Sequence, residues 1–429
     1  MRVASLSLGC ALALSLTAFG CGGDDPSLFP SDSTTGSGAG GAGGAGGAET
    51  GSGGSTSSSG MGGAGGMGGM GGMGGGEPVC TPEGPFDGEP ITAPPGAWTW
   101  VGVPGAMCRT GSETGFGVRL NPASDKLMIY LEGGGACFNG LSCVANPGSF
   151  GEGNFDGWKS NGGQNGIFDP ENAENPARDW NAVYIPYCTG DVHAGDATGV
   201  DVPGFGSPQD QAFVGYANIG LFLRRIVPTF PNVTEVLLTG VSAGGFGAAY
   251  NYDRVAQAFC PRAVHLVDDS GPPMADAYLA PCLQQRWRDL WGIDATLPAD
   301  CADCSLPGGG GIVNYTTYIG AKYTNSRLGL VSSDRDNVIT AFYGYGQNDC
   351  DNIDGLSAPM SGDMYAQGLA DLRDNHMMQS PIWATYYIGA TQHTYLGGNG
   401  LYSTTVDGVD MTTWVATLSS GGDAGHVGP

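Results

Sequence analysis

The sequence predicts an α/β fold in which a mostly parallel central sheet carries helices on both faces. Several short apolar runs are continuous rather than alternating, as strands buried on both faces are, and each stops at Gly, Asp or Cys. Helix-like stretches lie between these runs, at residues 211–230 and 244–259, and such strand–helix alternation is typical of this fold class. The predicted strands are residues 126–135, 181–188, 235–242, 263–271 and 381–389.

The first 78 residues differ in composition from the rest of the chain. Residues 1–21 start with Met-Arg, continue as an apolar segment rich in Ala and Leu, and end at Cys21, which is typical of an export signal peptide. This segment resembles a bacterial lipoprotein signal, in which the cysteine is lipidated after cleavage. Residues 22–78 are rich in Gly, Ser and Met and have no apolar face, so they predict a flexible linker. We therefore expect one globular domain over residues 79–429.

The signal predicts a protein exported and lipid-anchored at the bacterial outer membrane or cell surface, with the linker as a tether. Cleavage near Cys21 without lipidation would instead give a secreted protein. The formal net charge is −25, with only 16 Lys and Arg residues. This charge excludes a nucleic-acid partner, because phosphate binding needs clustered basic residues. It also disfavours long polyanionic substrates.

Ten cysteines follow residue 77, and in an exported chain an even number of cysteines predicts disulfides. Spacing alone leaves their connectivity open. Cys301 and Cys304 have the spacing of half a zinc site, but the sequence offers no second pair or nearby His pair to complete it. We therefore expect these two cysteines to form disulfides as well.

Gly240-Val241-Ser242-Ala243-Gly244 fits the pattern Gly-x-Ser-x-Gly between a predicted strand and a predicted helix. A tight turn there exposes the Ser242 hydroxyl above the sheet, and the next backbone N–H faces a developing oxyanion. The alternative is an ordinary glycine turn. In this context Ser242 is a candidate nucleophile.

A second glycine cluster, "YLEGGGACFNGLSC" at residues 130–143, ends an earlier strand. In serine hydrolases of this architecture, the loop after an earlier strand supplies further oxyanion donors, and the bare backbone at Gly134 and Gly135 suits that task. The alternative of a phosphate-binding loop lacks the required Lys and Ser/Thr.

A nucleophilic serine needs a base, and the base needs an acid that orients it. His393 follows a predicted buried strand in a glycine-flanked loop and is the first candidate base; His426 is the second. Two acids, Asp334 and Asp336, follow an apolar segment between the serine and His393. The order serine, acid, histidine is that of α/β-hydrolases.

Several blocks then resemble, in order, the pectin acetylesterase family, which also contains the animal lipid deacylase Notum. The blocks are "LEGGGACFN", "IPYCTGDVHAGD", "GVSAGGFGAAYNYD", "DDSGPP" and "QHTYL", within residues 95–429. The resemblance implies an α/β-hydrolase-like fold and a Ser-His-Asp esterase without metal or cofactor. It favours Asp336 over Asp334 as the acid, because "DNV" matches the family segment.

The same resemblance implies roles for further residues. Ser242 is the nucleophile, His393 the base, and the backbone at Gly134, Gly135 and Ala243 forms the oxyanion hole. It also implies two disulfide loops, Cys137 with Cys143 and Cys108 with Cys188. Gly135 departs from the family in standing where an aromatic residue often follows the paired glycines.

We therefore expect a monomeric serine esterase that removes acetyl groups from an acetylated carbohydrate or another small ester. The alternatives are a deacylase for longer acyl chains, and a non-catalytic surface lipoprotein that binds glycans through Trp98, Trp100 and Trp158.

Overall fold

The computed structural model describes residues 84–429. The predicted signal peptide with Cys21, the predicted linker (residues 22–78) and Cys80 lie outside the described residues. Within the described part of the chain, no helix is long and apolar enough to cross a membrane.

The described chain alternates strands and helices as the sequence predicts. Its strands are β1 Trp98–Met107, β2 Glu113–Arg119, β3 Lys126–Leu131, β4 Asn181–Ile185, β5 Ala197–Val200, β6 Gln211–Phe213, β7 Glu235–Val241, β8 Ala263–Asp269, β9 Leu328–Ser333, β10 Trp383–Ile388, β11 Thr405–Val406, β12 Val409–Asp410 and β13 His426–Val427. Its α-helices are α1 Gly140–Ala145, α2 Glu152–Lys159, α3 Gly215–Thr229, α4 Ala243–Tyr250, α5 Tyr252–Phe259, α6 Pro281–Trp291, α7 Asn314–Lys322, α8 Ile339–Gly344, α9 Gln347–Cys350, α10 Gly362–Asp371, α11 Gly400–Ser403 and α12 Met411–Ser419.

A nine-stranded sheet has the order β1-β2-β4-β3-β7-β8-β9-β10-β13. All neighbours from β4 to β13 are parallel, whereas β1 and β2 form an antiparallel edge. The five predicted strands are β3, β4, β7, β8 and β10. Because ligand sites in such sheets form beyond the carboxyl ends of parallel strands, the turns after β3, β7, β9 and β10 are the ones that matter for function.

The central strands are buried on both faces, which explains their continuous apolar runs. Along β3, Leu127, Ile129 and Leu131 belong to one core cluster, and Met128 and Tyr130 to another. Alternate residues of a strand point to opposite faces. Helices α3 and α5 pack into the first cluster and α12 into the second, so the predicted fold, α/β-hydrolase-like with helices on both faces, is confirmed.

Three local predictions were wrong or incomplete. Residues 132–135, predicted as the end of a strand, form a loop after β3, and residues 211–213 form β6 before helix α3 begins. Strands β1, β2 and β9 are among those that were not predicted. Their sequences carry glycine, proline or serine among the apolar residues, and β1 also contains a register shift between Gly102 and Met107.

Disulfides cross-link the described part of the chain. The structure joins Cys108 to Cys188, Cys137 to Cys143, Cys282 to Cys350, and Cys301 to Cys304. The first two pairs are those that the family resemblance implied. Because Cys301 and Cys304 bond to each other, neither supplies a thiolate for zinc.

Candidate active site

Ser242 lies at the sharp turn between strand β7 and helix α4. Its backbone has φ +57° and ψ −123°, a conformation that non-glycine residues rarely adopt and that stores strain at functional turns. The turn leaves no room for a side chain two residues before or two residues after the serine. A Cβ at Gly240 would lie 2.2 Å from the Gly244 carbonyl oxygen, and one at Gly244 would lie 2.0 Å from the Leu131 carbonyl oxygen. The Gly-x-Ser-x-Gly spacing is therefore a steric requirement of this turn.

The turn presents the serine between a strand and the start of a helix. The Ser242 N–H donates to the Asp269 carbonyl oxygen at 2.7 Å, and the Ser242 carbonyl accepts from the Phe246 N–H at 3.1 Å. Ala243 is the first residue of α4, so its N–H has no carbonyl partner within the helix. An N–H in this position suits an anion that develops beside Ser242.

His393 lies in the loop after β10, and Asp336 lies in the turn after β9. The His393 Nδ1–H donates to Asp336 Oδ2 at 2.7 Å, and the Asp336 side chain is fully buried. The other carboxylate oxygen of Asp336 accepts from the N–H groups of Val338 and Ile339, at 2.9 and 3.0 Å. These bonds hold the carboxylate in one orientation beneath the imidazole ring.

Asp334, the alternative acid, has different partners. One of its oxygens accepts from the Ala390 N–H at 3.1 Å, and the other forms an ion pair with Arg335 at 2.7 Å. Asp334 therefore contacts the loop that carries His393, whereas Asp336 contacts the imidazole itself.

Asp269 connects the turn that carries Ser242 with the loop that carries His393. His393 Nε2 is buried and has no hydrogen-bond partner among the described residues. Asp269, whose carbonyl oxygen binds the Ser242 N–H, also accepts the N–H groups of Tyr395 and Leu396 on its carboxylate, at 2.7 and 2.8 Å. One strand end thus contacts both the serine turn and the histidine loop.

The loop after β3 contains Gly134 and Gly135. Both have positive φ, +155° and +78°, and Gly135 is in the left-handed region that favours glycine. The Asn146 side-chain amide donates to the Gly134 carbonyl at 2.8 Å, and the Cys137–Cys143 disulfide follows at once. Phe342 lies against Gly135, 3.4 Å from where a Cβ would stand.

The remaining described histidines have other environments. His265 in β8 accepts the Arg327 N–H, and His426 in the edge strand β13 lies 3.1 Å from the Thr385 hydroxyl. His376 follows α10 in a π-helical turn. His193 is buried and donates from Nε2 to the Glu132 carbonyl at 2.9 Å, and burial lowers its pKa to about 4.

Sequence reasoning missed two acids beside these loops. Burial raises the pKa of Glu132 to about 7, and Glu132 Oε2 accepts the Tyr187 N–H at 3.0 Å. Burial likewise raises the pKa of Asp269 to about 6. In the sequence, the block "DDSG" was the only local sign of Asp269. In the structure, Ser270, the residue after Asp269, has φ +66°. Within residues 84–429, no group of three His, Cys, Asp or Glu side chains is placed to hold a metal ion.

Comparison with known proteins identifies similar sequences and a similar fold. The pectinacetylesterase family model matches residues 100–304. This chain is therefore similar, over part of its length, to the pectin acetylesterase family, to which Notum belongs. Palmitoleoyl-protein carboxylesterase notum2 of Xenopus laevis is 33% identical over 155 residues, which cover 35% of this chain and 30% of the frog protein. Palmitoleoyl-protein carboxylesterase NOTUM of Drosophila melanogaster is 31% identical over 217 residues, which cover 45% of this chain and 31% of the fly protein.

Among solved structures, the Wnt deacylase Notum from Drosophila superposes with a TM-score of 0.55 at 22% identity. The superposition covers 75% of this chain and 94% of the fly structure, so it supports the α/β-hydrolase-like fold. The sequence matches span only about a third of the length of these two carboxylesterases.

Proposed function

We propose that this protein is a serine carboxylic ester hydrolase that removes acetyl or other acyl groups through an acyl-enzyme, most simply from an acetylated carbohydrate. The observation that carries the proposal is the 2.7 Å bond between His393 and the buried Asp336, next to the strained serine turn. A histidine oriented by a buried carboxylate is the base that a serine nucleophile requires. The names of the matched relatives, which are carboxylesterases, support the same chemistry.

In the proposed reaction, His393 Nε2 takes the proton of the Ser242 hydroxyl while Oγ attacks the ester carbonyl carbon. The backbone N–H groups of Ala243 and of Gly134 or Gly135 donate to the oxyanion. His393 then gives its proton to the departing alcohol, which leaves an acyl-serine. Water attacks this ester with His393 again as base, and the products are the carboxylic acid and free Ser242.

Each group has a physical reason for its part. Asp336 stabilises the imidazolium that forms when His393 accepts the proton. His393 Nε2 has no hydrogen-bond partner among the described residues, which suits a substrate-free enzyme because catalytic hydrogen bonds often tighten only when substrate binds. Serine, histidine, carboxylate and backbone donors together supply nucleophile, base and oxyanion binding, so the proposed reaction needs no metal ion or cofactor.

The test is turnover of a chromogenic acetate ester by the wild type and by Ser242→Ala. Loss of the nucleophile is expected to lower kcat by about 10⁶-fold, the scale of removing a triad serine. The matched control is Ser380→Ala, because Ser380 is also a partly buried serine but precedes β10, at the opposite end of the sheet. Near-wild-type turnover by Ser242→Ala would end the proposal.

A deacylase for longer acyl chains is a second candidate. Helix α1, directly after the glycine loop, exposes two apolar side chains, Leu141 at 50% and Val144 at 87%. Apolar surface beside a reaction centre favours an acyl chain over a sugar. A series of nitrophenyl esters from acetate to decanoate separates the two substrate classes, since kcat/KM peaks at the chain length that the site accommodates.

The glycan-binding alternative has less support. A platform that stacks sugars needs an exposed aromatic face, but Trp98 is only 9% exposed. The rings of Trp98 and Trp158 contact each other edge to face at 4.9 Å, and Trp158 stacks on Tyr184 at 3.5 Å. These aromatic residues pack a core face of the sheet. Export, lipid anchoring through Cys21 and a monomeric state stay predictions of the sequence.

A further inference from the structure

Asp269 is the last residue of β8 and lies between the serine turn and the histidine loop. Its side chain is fully buried. Its backbone carbonyl accepts the Ser242 N–H at 2.7 Å, in line with the parallel pairing of Val241 and Asp269. The main chain of Asp269 therefore contributes to the position of the candidate nucleophile.

The side chain of Asp269 contacts the loop that carries His393. Oδ2 accepts the N–H groups of Tyr395 and Leu396 at 2.7 and 2.8 Å, and Oδ1 accepts the Ser270 hydroxyl at 3.0 Å. Tyr395 and Leu396 follow His393 by two and three residues, and Thr394 between them turns with φ +63°. The carboxylate is thus bonded to the main chain of a tight turn that carries the imidazole.

We propose that Asp269 is a positioning residue that sets His393 relative to Ser242. This inference rests on the proposed function. The hydrogen bonds of Asp269 go to the Ser242 N–H from its main chain and to the N–H groups of Tyr395 and Leu396 from its side chain, so it acts on the serine through the first and on the histidine loop through the second. Asp336 is the acid that bonds to the ring; Asp269 holds the loop that carries the ring.

The charge of Asp269 supports this task. Burial raises its pKa to about 6, while the two N–H groups, the Ser270 hydroxyl and the positive charge of His393 favour the ionised form. The titratable groups around it are His393 and Tyr395 from the histidine loop and Asp268 from its own strand. Above about pH 6 the carboxylate is an anion. Hydrogen bonds to an anion are roughly twice as strong as neutral ones, and the anion also stabilises the imidazolium of the reaction.

A residue kept only for stability would have no reason to be charged here. A buried anion with a raised pKa costs the folded state free energy at neutral pH, and a neutral amide of the same shape avoids that cost. Asp269→Asn is therefore expected to lower turnover without lowering the thermal midpoint. A merely structural role predicts that turnover and midpoint fall together.

The experiment measures kcat, KM and the thermal midpoint of Asp269→Asn on a chromogenic acetate ester at pH 8. We expect kcat to fall about 10–100-fold with KM nearly unchanged, because small displacements of catalytic groups cost up to about 10²-fold. The matched control is Asp268→Asn, a buried neighbour whose pKa burial raises well above the usual range. Its Oδ1 has no hydrogen-bond partner among the described residues, so an amide there should keep kcat within about twofold of the wild type.

The pH profile gives a second readout. Wild-type kcat/KM should fall with decreasing pH as Asp269 takes up a proton, and Asp269→Asn should lose that contribution to the fall. Ser270→Gly tests the same point if Asp269→Asn does not fold, because glycine accepts φ +66° and only a hydroxyl is lost. Losing that bond raises the Asp269 pKa and should move the acid limb up by about 0.5–1 pH unit.

The outcomes separate the two proposals. Active Ser242→Ala overturns the proposed function. Inactive Ser242→Ala with wild-type kcat in Asp269→Asn overturns the positioning role alone, as does an unmoved acid limb in Ser270→Gly. A parallel fall of kcat and midpoint in both Asp269→Asn and Asp268→Asn assigns Asp269 to structure. If Asp269→Asn is as inactive as Ser242→Ala while Asp336→Asn is active, Asp269 is the acid of the triad and the positioning role is wrong.

Discussion

The two loops that flank Ser242 are held in place by different chemistry. The glycine loop (residues 132–137) is fixed by the Cys137–Cys143 disulfide and by neutral hydrogen bonds, from Asn146 to the Gly134 carbonyl and from His193 to the Glu132 carbonyl. The histidine loop (residues 389–396) contains no cysteine. Its N–H groups and its imidazole are bonded by carboxylates, namely Asp269, Asp334 and Asp336.

The difference follows from what each loop would do in the proposed reaction. Oxyanion donors must be rigid before charge develops, and a disulfide with neutral hydrogen bonds to the backbone provides that rigidity. The histidine must gain and lose a proton, and surrounding carboxylates stabilise its charged form. Reduction should therefore affect the glycine loop, and acid should affect the histidine loop.

Between these two loops, the largest expected effect is at the carboxylate that contacts the imidazole. Asp336→Asn should lower kcat by about 10⁴-fold, because an amide in place of the carboxylate leaves the imidazole in the wrong tautomer. Asp334→Asn is the matched control, since that acid bonds to the Ala390 N–H and not to the ring. It should cost far less activity in the chromogenic ester assay. A larger loss in Asp334→Asn than in Asp336→Asn would reverse the assignment of the acid.

The next effect is at the glycine loop. Replacing Cys137 and Cys143 together by serine should lower kcat by about 10²-fold, the scale of losing one oxyanion donor. The acid limb of the pH profile should not move, because the histidine loop is untouched. The control replaces Cys301 and Cys304, a pair three residues apart, and should leave kcat unchanged. If the first pair moves the acid limb, the two loops are not held independently.

The sequence predicted the fold where local pattern and burial agree. Strands such as β3 and β7 are buried on both faces, so their apolar runs are unbroken, whereas β9 carries Gly329 and two serines that conceal it. Ser242 was predictable because its turn excludes side chains at Gly240 and Gly244. Its role as nucleophile stays a prediction.

Asp269 was not predictable in the same way. Its carboxylate meets Tyr395, 126 residues later in the chain, and no local periodicity records such a contact. The choice between Asp334 and Asp336 also came from family resemblance alone. Both follow the same strand, and only the folded chain separates the acid at the imidazole from the acid at the loop backbone.

A smaller effect concerns the acid next to the glycine loop. Burial raises the pKa of Glu132 from 4.5 to about 7, so the folded state holds a proton that the unfolded state has lost between these pH values. The free energy of unfolding should therefore fall as pH rises through this window, by at most about 3.5 kcal/mol at about 1.4 kcal/mol per pH unit.

Glu132→Gln should remove that fall, because glutamine does not titrate and keeps an oxygen for the Tyr187 N–H. Urea unfolding of both proteins at pH 4.5, 6 and 8 isolates the effect as the difference between them. The variant should gain stability relative to the wild type as pH rises. A constant difference across the three pH values would mean that Glu132 is ionised throughout.

The smallest expected effect is that of salt, which separates screening from protonation. Salt screens exposed charges with a Debye length of about 10 Å at 0.1 M but hardly reaches buried ones. Asp269 and Asp336 are fully buried, so added salt should not release the histidine loop as acid does. Turnover of a small neutral acetyl ester should therefore be independent of salt.

A polyanionic acetylated glycan should be a poor substrate at low salt and improve as salt is added, because the chain carries a net charge of −25. A basic cleft could draw on Arg119, Arg224 and Arg225, but each of these arginines has another partner. Arg224 pairs with Asp87, Arg225 donates to the Glu89 carbonyl, and Arg119 lies buried against Trp98. The measurement is kcat/KM on both substrates from low to moderate ionic strength. Efficient low-salt turnover of the polyanion that declines with salt would instead reveal a basic cleft within an acidic surface.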